Sequence, residues 1–300
     1  MSKTYHIFGL SILSEISLPA PEAGGRRRSS PPDVVIEYGE APRQLSRPQR
    51  KTAWYEAAAG EFLLSAESIA RYYVQGGSRI VITAEPGVAE GKILIYLMGS
   101  AMGALLHQRK VLVLHAGAVT KKNYAVIFLG PSGAGKSTLA AAFHQRGLAF
   151  LADDVCAISF DDGAPAVIPG FPQLKLWEDA LAKLGKDKGG LKRVVWIKNM
   201  EKYFMPVEHE HDGLVRLKSV FSLEAADTAH IEVHALRGGA KLEPLVANTY
   251  RRGFLDGLGG KKEYFRQCAR VAAQSEVYRV LRPRDKFLLD ELADVLEAEF

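Results

Sequence analysis

The chain has 300 residues, 47% of them hydrophobic and 24% charged, with a net charge of +5. That is ordinary globular composition, long enough for two domains or one large one and for a real core, so neither disulfides nor a structural metal are needed. The mild excess of Lys and Arg suits anionic ligands such as ATP, whereas nucleic acid would want a continuous basic stripe or a binding motif, and neither is present. Cys156 and Cys268 are the only cysteines. Two cysteines make no disulfide framework, and a reducing cytoplasm is the expected setting.

The first residues, Met1 to His6, lack the apolar run of a signal peptide. Tyr5–Leu10 and Ser14–Pro19 read as a strand pair. Residues 21–33, rich in Pro, Gly, Ser and Arg, read as a loop, with Arg26-Arg27-Arg28 solvated inside it. Val34–Tyr38, Trp54–Ala58, Glu61–Ser65, Ala70–Val74 and Arg79–Ile82 carry strand patterns. They imply a small β-rich N-terminal domain over 1–88, ending at Pro86-Gly87, with a second domain over 89–300.

The stretch Lys92–Leu106 is apolar nearly all round, which suits a helix buried in a core. It falls short of the roughly 20 residues of a membrane span. Strands are expected at Lys110–Leu114, Tyr124–Leu129 and Phe150–Phe160, with a helix over Lys136–Arg146. Residues 183–193, with five cationic side chains and three glycines, read as a mobile loop. Arg282-Pro283-Arg284-Asp285 precedes an amphipathic helix bearing Phe287, Leu288, Leu292, Val295 and Leu296, with Asp285 as its N-cap.

Gly130-Pro131-Ser132-Gly133-Ala134-Gly135-Lys136-Ser137 fits G-x-x-x-x-G-K-[ST] in full, between the apolar run Ala125–Leu129 and an alanine-rich helix. Backbone N–H groups can wrap a phosphate only if the chain turns tightly and its side chains stay small. The following helix N-terminus adds partial positive charge. Gly130, Ser132, Gly133, Ala134, Gly135, Lys136, Ser137 and Thr138 are therefore the nucleotide-binding candidates. Lys136 is expected at the β- and γ-phosphates and Ser137 on Mg²⁺.

Asp153 and Asp154 follow soon after, in Phe150-Leu151-Ala152-Asp153-Asp154. Adjacent strand residues point to opposite faces, so the two do different jobs unless the strand is kinked. One is expected at the metal with Ser137, and Asp154 is the choice. The other would accept the proton of an attacking hydroxyl. His115, followed by small residues in His115-Ala116-Gly117-Ala118, is a candidate proton shuttle or phosphate contact, with a structural strand-end role as the alternative. Lys175 and Lys202 are weaker candidates for the transferring phosphoryl group. His209-Glu210-His211 lacks a third ligand and reads as a polar loop rather than a zinc site. Asn248-Thr249-Tyr250-Arg251-Arg252 suits either a nucleotide or substrate contact or plain surface.

The order His115-Ala-Gly-Ala-Val, Gly-rich loop, Leu151-Ala152-Asp153-Asp154 resembles the catalytic domain of HPr kinase/phosphorylase. The chain is more similar still to the shorter HPr-kinase-like proteins. They open like Tyr5-His6-Ile7-Phe8-Gly9-Leu10, carry a segment like Pro169-Gly170-Phe171-Pro172-Gln173-Leu174-Lys175-Leu176-Trp177, and end like Val277-Tyr278-Arg279-Val280 with Arg282-Pro283-Arg284-Asp285. Some of that group resemble kinases of lasso peptide precursors. The resemblance implies an α/β fold: a P-loop kinase domain related to phosphoenolpyruvate carboxykinase, with ATP and Mg²⁺. It puts Asp153, Asp154, His115 and Lys136 in catalysis, and makes the acceptor a peptide serine, near the C-terminus of a lasso peptide precursor. The glycine-rich segment ending in an acidic residue that follows the aspartate pair in the HPr enzymes is missing, so HPr recognition and a phosphorylase reaction are not implied.

No L-S-G-G-Q signature marks a transporter-type ATPase and no N-K-x-D marks a GTPase. A kinase of a small hydroxylated metabolite and a non-catalytic ATP-binding module are the alternatives. The intact Lys136, Ser137, Asp153 and Asp154 set argues against the second. Neither nucleic acid nor membrane is expected as a partner, and homo-oligomerisation stays open.

Overall fold

A computed structural model describes residues 2–23, 31–197, 200–208, 211, 213–284, 286 and 288–300. The expectations for Arg26–Arg28, His209-Glu210, Asp285 and Phe287 lie outside the described residues. The protein is a mixed α/β structure with several sheets, in two compact units: Met1–Val113 with Tyr250–Tyr264, and Leu114–Thr249 with Phe265–Phe300.

In the first unit, β1 (Lys3–Ile7), β2 (Leu10–Ser14), β3 (Val34–Tyr38), β4 (Arg50–Lys51), β5 (Tyr55–Ala58), β6 (Glu61–Ala66), β7 (Ala70–Gln75) and β8 (Arg79–Ala84) form one eight-stranded sheet. Its order is β1-β2-β3-β8-β7-β6-β5-β4. The second strand starts at Leu10, earlier than the expected Ser14–Pro19, because the chain turns over Phe8 and Gly9, both at positive φ.

The helical segment that follows, α1 (Glu90–Tyr96), a π-helical turn (Leu97–Ala101) and α2 (Met102–Gln108), is buried along most of its length, as its all-round apolar pattern predicts. It belongs to the first unit, so the units do not part at residue 88. Tyr72 donates its hydroxyl to the Ile93 carbonyl, and the Gln108 amide donates to Val74. These bonds tie the helix to β7.

The second unit follows with β9 (Leu112–Leu114, which begins in the first unit), β10 (Gly117–Lys121), β11 (Tyr124–Leu129), α3 (Lys136–Gln145), β12 (Ala149–Ala152), β13 (Cys156–Ser159) and β14 (Ala166–Ile168). Then come β15 (Gln173–Trp177), α4 (Glu178–Lys183), β16 (Lys192–Ile197), β17 (Met200–Pro206), β18 (Val215–Ala226), β19 (Glu232–Ala235) and α5 (Leu242–Ala247). After α6 (Leu255–Leu258) of the first unit, α7 (Lys261–Gln274) leads back into the second, which ends with β20 (Glu276–Pro283) and α8 (Leu289–Glu297).

The main sheet runs β12-β10-β11-β18, with β11, β18 and β20 mutually parallel along β18. The Gly-rich loop leaves the C-terminal end of β11, where ligands of open parallel sheets collect. Helix α3 buries Leu139 and Phe143 on this sheet, with the Phe143 ring stacked on Phe128 at 5.4 Å. Leu292 and Leu296 of α8, and Leu174 and Leu176 of β15, join the same core. Period-2 alternation along β15 sets Lys175 and Trp177 on its other face, where Trp177 still packs in part against this core. The basic stretch 183–193 is in part regular: α4 runs to Lys183 and β16 starts at Lys192.

Candidate active site

The loop closes by the means its glycines supply. Gly130 has φ +140, and a Cβ there would lie 2.6 Å from the Leu223 carbonyl oxygen, so no larger residue fits. Lys136 is 6% exposed and folds back over its own loop, donating to the carbonyls of Gly130 at 2.8 Å and Pro131 at 3.0 Å. Burial pulls its pKa down to about 8, against the opposing charges of Asp153 and Asp154.

The strand expected over Phe150–Phe160 breaks at the aspartate pair: β12 ends at Ala152, β13 starts at Cys156, and Asp154 sits at φ +71. That kink overrides the alternation of an extended strand and turns both carboxylates into one pocket. Asp153 accepts the Ser137 hydroxyl at 2.7 Å through one oxygen and the Lys175 N–H at 2.8 Å through the other. Asp154 takes Nδ1 of His115 at 2.9 Å and Nζ of Lys175 at 2.7 Å. A carboxylate only accepts, so His115 carries its proton on Nδ1.

The sequence reading paired Asp154 with Ser137; the structure instead sets Asp153 on the Ser137 hydroxyl and the two oxygens of Asp154 on nitrogen donors of His115 and Lys175. The pKa values part accordingly. Burial, then the neighbouring charge of Asp154, raises Asp153. Burial would raise Asp154 as well, but the Lys175 charge and the His115 bond outweigh it and hold that carboxyl well below the usual range.

All of the loop candidates except Gly130 line one cavity of about 280 Å³, together with His115, Asp153, Asp154, Lys175 and Lys202. The residues fit a nucleoside triphosphate and a divalent cation. Loop amides and Lys136 can meet phosphate oxygens, and a hydroxyl and a carboxylate oxygen converge at Ser137 and Asp153. Among the described residues there is no cluster of three or more His, Cys, Asp or Glu suited to hold a metal by itself.

Two positioning residues were not singled out in the sequence reading, which left the Asn248 segment open between a ligand contact and plain surface. Asn248 accepts the Gly130 N–H on its side-chain oxygen at 3.0 Å, and its backbone carbonyl accepts the His115 N–H at 2.8 Å. Its own amide group donates to Pro244 at 2.8 Å, which fixes the orientation. The only signal was a polar cluster read equally as surface. Arg282, quoted only for a resemblance, donates from Nε to the Ala134 carbonyl at 3.3 Å and lines the cavity.

No protein-family model matches the chain, and no curated protein matches it. Among solved structures it is similar to the Hpr(Ser) kinase/phosphatase from Coxiella burnetii, with 11% identity and a TM-score of 0.31, over 62% of this chain and 95% of that one. A likeness of that size carries no weight for function. No helix among the described residues is long and apolar enough to cross a membrane.

Proposed function

We propose that the protein is an ATP-dependent kinase that transfers the γ-phosphoryl group to an alcohol hydroxyl. The observation that carries this reading is the division of labour between adjacent carboxylates. Asp153 is joined to the Ser137 hydroxyl, and Asp154 is joined to His115. A loop that only bound nucleotide would have no use for the second pair.

The loop amides and Lys136 hold the phosphates. Ser137 and Asp153 would hold Mg²⁺, which when bound supplies positive charge against the phosphate oxygens. Asp154 and His115 receive the acceptor. The bond between the γ-phosphorus and the bridging oxygen breaks, its electrons leaving with ADP. The hydroxyl oxygen forms the new P–O bond, and its proton passes to the Asp154–His115 pair acting as a unit. Lys175 fixes Asp154 through Nζ and Asp153 through its N–H, so the two carboxylates keep their spacing.

For the acceptor we infer a serine hydroxyl of a peptide, near the C-terminus of a lasso peptide precursor. What supports that choice is the sequence resemblance alone. The test is mass spectrometry of such a precursor, and of a panel of small alcohols, after incubation with enzyme and Mg·ATP. Added phosphate on a C-terminal serine is the expected result. Modification of the alcohols alone would move the acceptor to a small metabolite.

A further inference from the structure

Lys175 and Lys202, on neighbouring strands of the antiparallel sheet β15-β17-β16, differ in their partners. Directly opposed residues of an antiparallel pair share a face. Lys175 stands opposite Phe204 and Trp177 opposite Lys202, so all four share one face of the sheet. Lys175 is committed to Asp154 at 2.7 Å. Lys202 is not committed in that way. Its ammonium lies 5.2 Å from the centre of the Trp177 ring, and among the described residues no carboxylate pairs with it.

Lys202 is nonetheless half-buried, and it lines the cavity that holds Lys136, Ser137, Asp153 and Asp154. Its charge acts on both Lys136 and Asp153. The ammonium is therefore close to the groups that would flank a terminal phosphate. A lysine held over an aromatic ring is steered in direction, yet its three N–H donors are not spent on a fixed acceptor. A charge-assisted hydrogen bond to an anionic oxygen is stronger than the ring contact it would replace. The arrangement suits a cation kept in reserve for an anion that arrives.

Resting on the kinase reading above, we propose that Lys202 is a catalytic lysine that binds the transferring phosphoryl group from the side opposite the loop, supplied in cis by β17. As the bond from the γ-phosphorus to the ADP oxygen breaks and the bond to the acceptor oxygen forms, the group's non-bridging oxygens face Lys136 on the loop and Lys202 on the sheet. The acceptor proton still goes to the Asp154–His115 pair, and Lys202 gives up no proton. Its contribution is greatest where the phosphoryl group is least bonded to either oxygen.

The test uses the full chain with Lys202→Met and Lys202→Arg. Single-turnover transfer from γ-labelled ATP is measured beside the affinity for ADP alone and for ADP with aluminium fluoride and Mg²⁺, the fluoride standing in for the phosphoryl group in flight. Lys202→Met should slow transfer by about 100-fold or more. It should weaken the ADP–fluoride complex by a similar factor and leave ADP binding and the melting temperature within error. Lys202→Arg keeps the charge and should recover most of the fluoride affinity. Wild-type transfer in Lys202→Met, or equal losses for ADP and ADP–fluoride, would overturn the proposal and leave a lysine that merely stacks on Trp177. A wild-type protein that binds ADP no tighter with fluoride than without, and transfers nothing, would instead overturn the kinase reading itself.

Discussion

The side-chain oxygen of Asn248 accepts the N–H of Gly130, the first residue of the Gly-rich loop, at 3.0 Å. The same residue's carbonyl accepts the N–H of His115, so one asparagine sets both the loop and the histidine that faces Asp154. Asn248→Ala leaves the Gly130 donor unpaired, at a cost of about 1–3 kcal/mol, and should lower both the melting temperature and the ATP affinity. Asn248→Asp keeps an acceptor for Gly130 but turns an anionic oxygen on the Pro244 carbonyl, where the amide donates in wild type, and adds a negative charge beside the phosphate loop. It should also melt below wild type and bind ATP at least as poorly as the alanine variant. Calorimetric ATP titration with parallel melts checks this; equal ATP affinity in all three proteins would remove Asn248 from the site.

Asp153→Asn and Asp154→Asn should separate. The first removes the charge that sits on the Ser137 hydroxyl and should raise the Mg²⁺ concentration needed for half-maximal transfer, by about 10-fold or more. The second leaves that corner intact and should cut turnover by about 10²–10⁴-fold with little change in Mg²⁺ demand. Magnesium titrations of the initial rate decide it, and identical profiles for the two variants would contradict the assignment of roles.

Much of this site is legible in the sequence. Strand β11, the loop and α3 fall where the motif and its flanks put them, because backbone curvature and phosphate binding impose the same glycines. The kink at Asp153–Asp154 is not legible. Asp154 at positive φ breaks an apolar run that otherwise reads as one strand, and nothing in the local pattern marks it. The Asn248 contact spans 118 positions, beyond the reach of any local pattern. The first unit extends past residue 88 because the apolar face of the helix at 90–108 is satisfied by β7, and Pro86-Gly87 turns the chain without ending its packing.

His107 makes stability in the first unit depend on pH. Its Nε2 meets the Tyr250 carbonyl at 2.9 Å, so that nitrogen carries the proton, and Nδ1 is buried without a partner. Burial lowers its pKa to about 4, with the Tyr250 bond opposing. The folded state therefore holds the neutral ring, while the unfolded chain takes up a proton below about 6.5. The contribution is complete above pH 6.5 and is lost as pH falls toward 4, up to about 3 kcal/mol. Denaturant unfolding at pH 7.5 and pH 5 should show the loss in wild type and a smaller one in His107→Gln, whose amide can donate to Tyr250 and does not titrate. The same pH dependence in both would contradict the account.

Gly130→Ala should fail at the loop alone. The added methyl would meet the Leu223 carbonyl at 2.6 Å in a backbone conformation alanine avoids. Loss of ATP binding is expected with the first unit still folded, which amide hydrogen exchange over β5–β8 would report. Wild-type ATP affinity in this variant would show that the loop does not grip phosphate as described.

The most direct measurement of the central claim follows the label of γ-³²P-ATP in wild type and in Asp154→Asn, with Mg²⁺ and a mixture of serine peptides and small alcohols. A phosphoester that survives acid, formed with ADP in equal amounts by wild type and at least about 100-fold more slowly by Asp154→Asn, is the result the account predicts. Release of the label only as inorganic phosphate, at the same rate in both proteins, would contradict it.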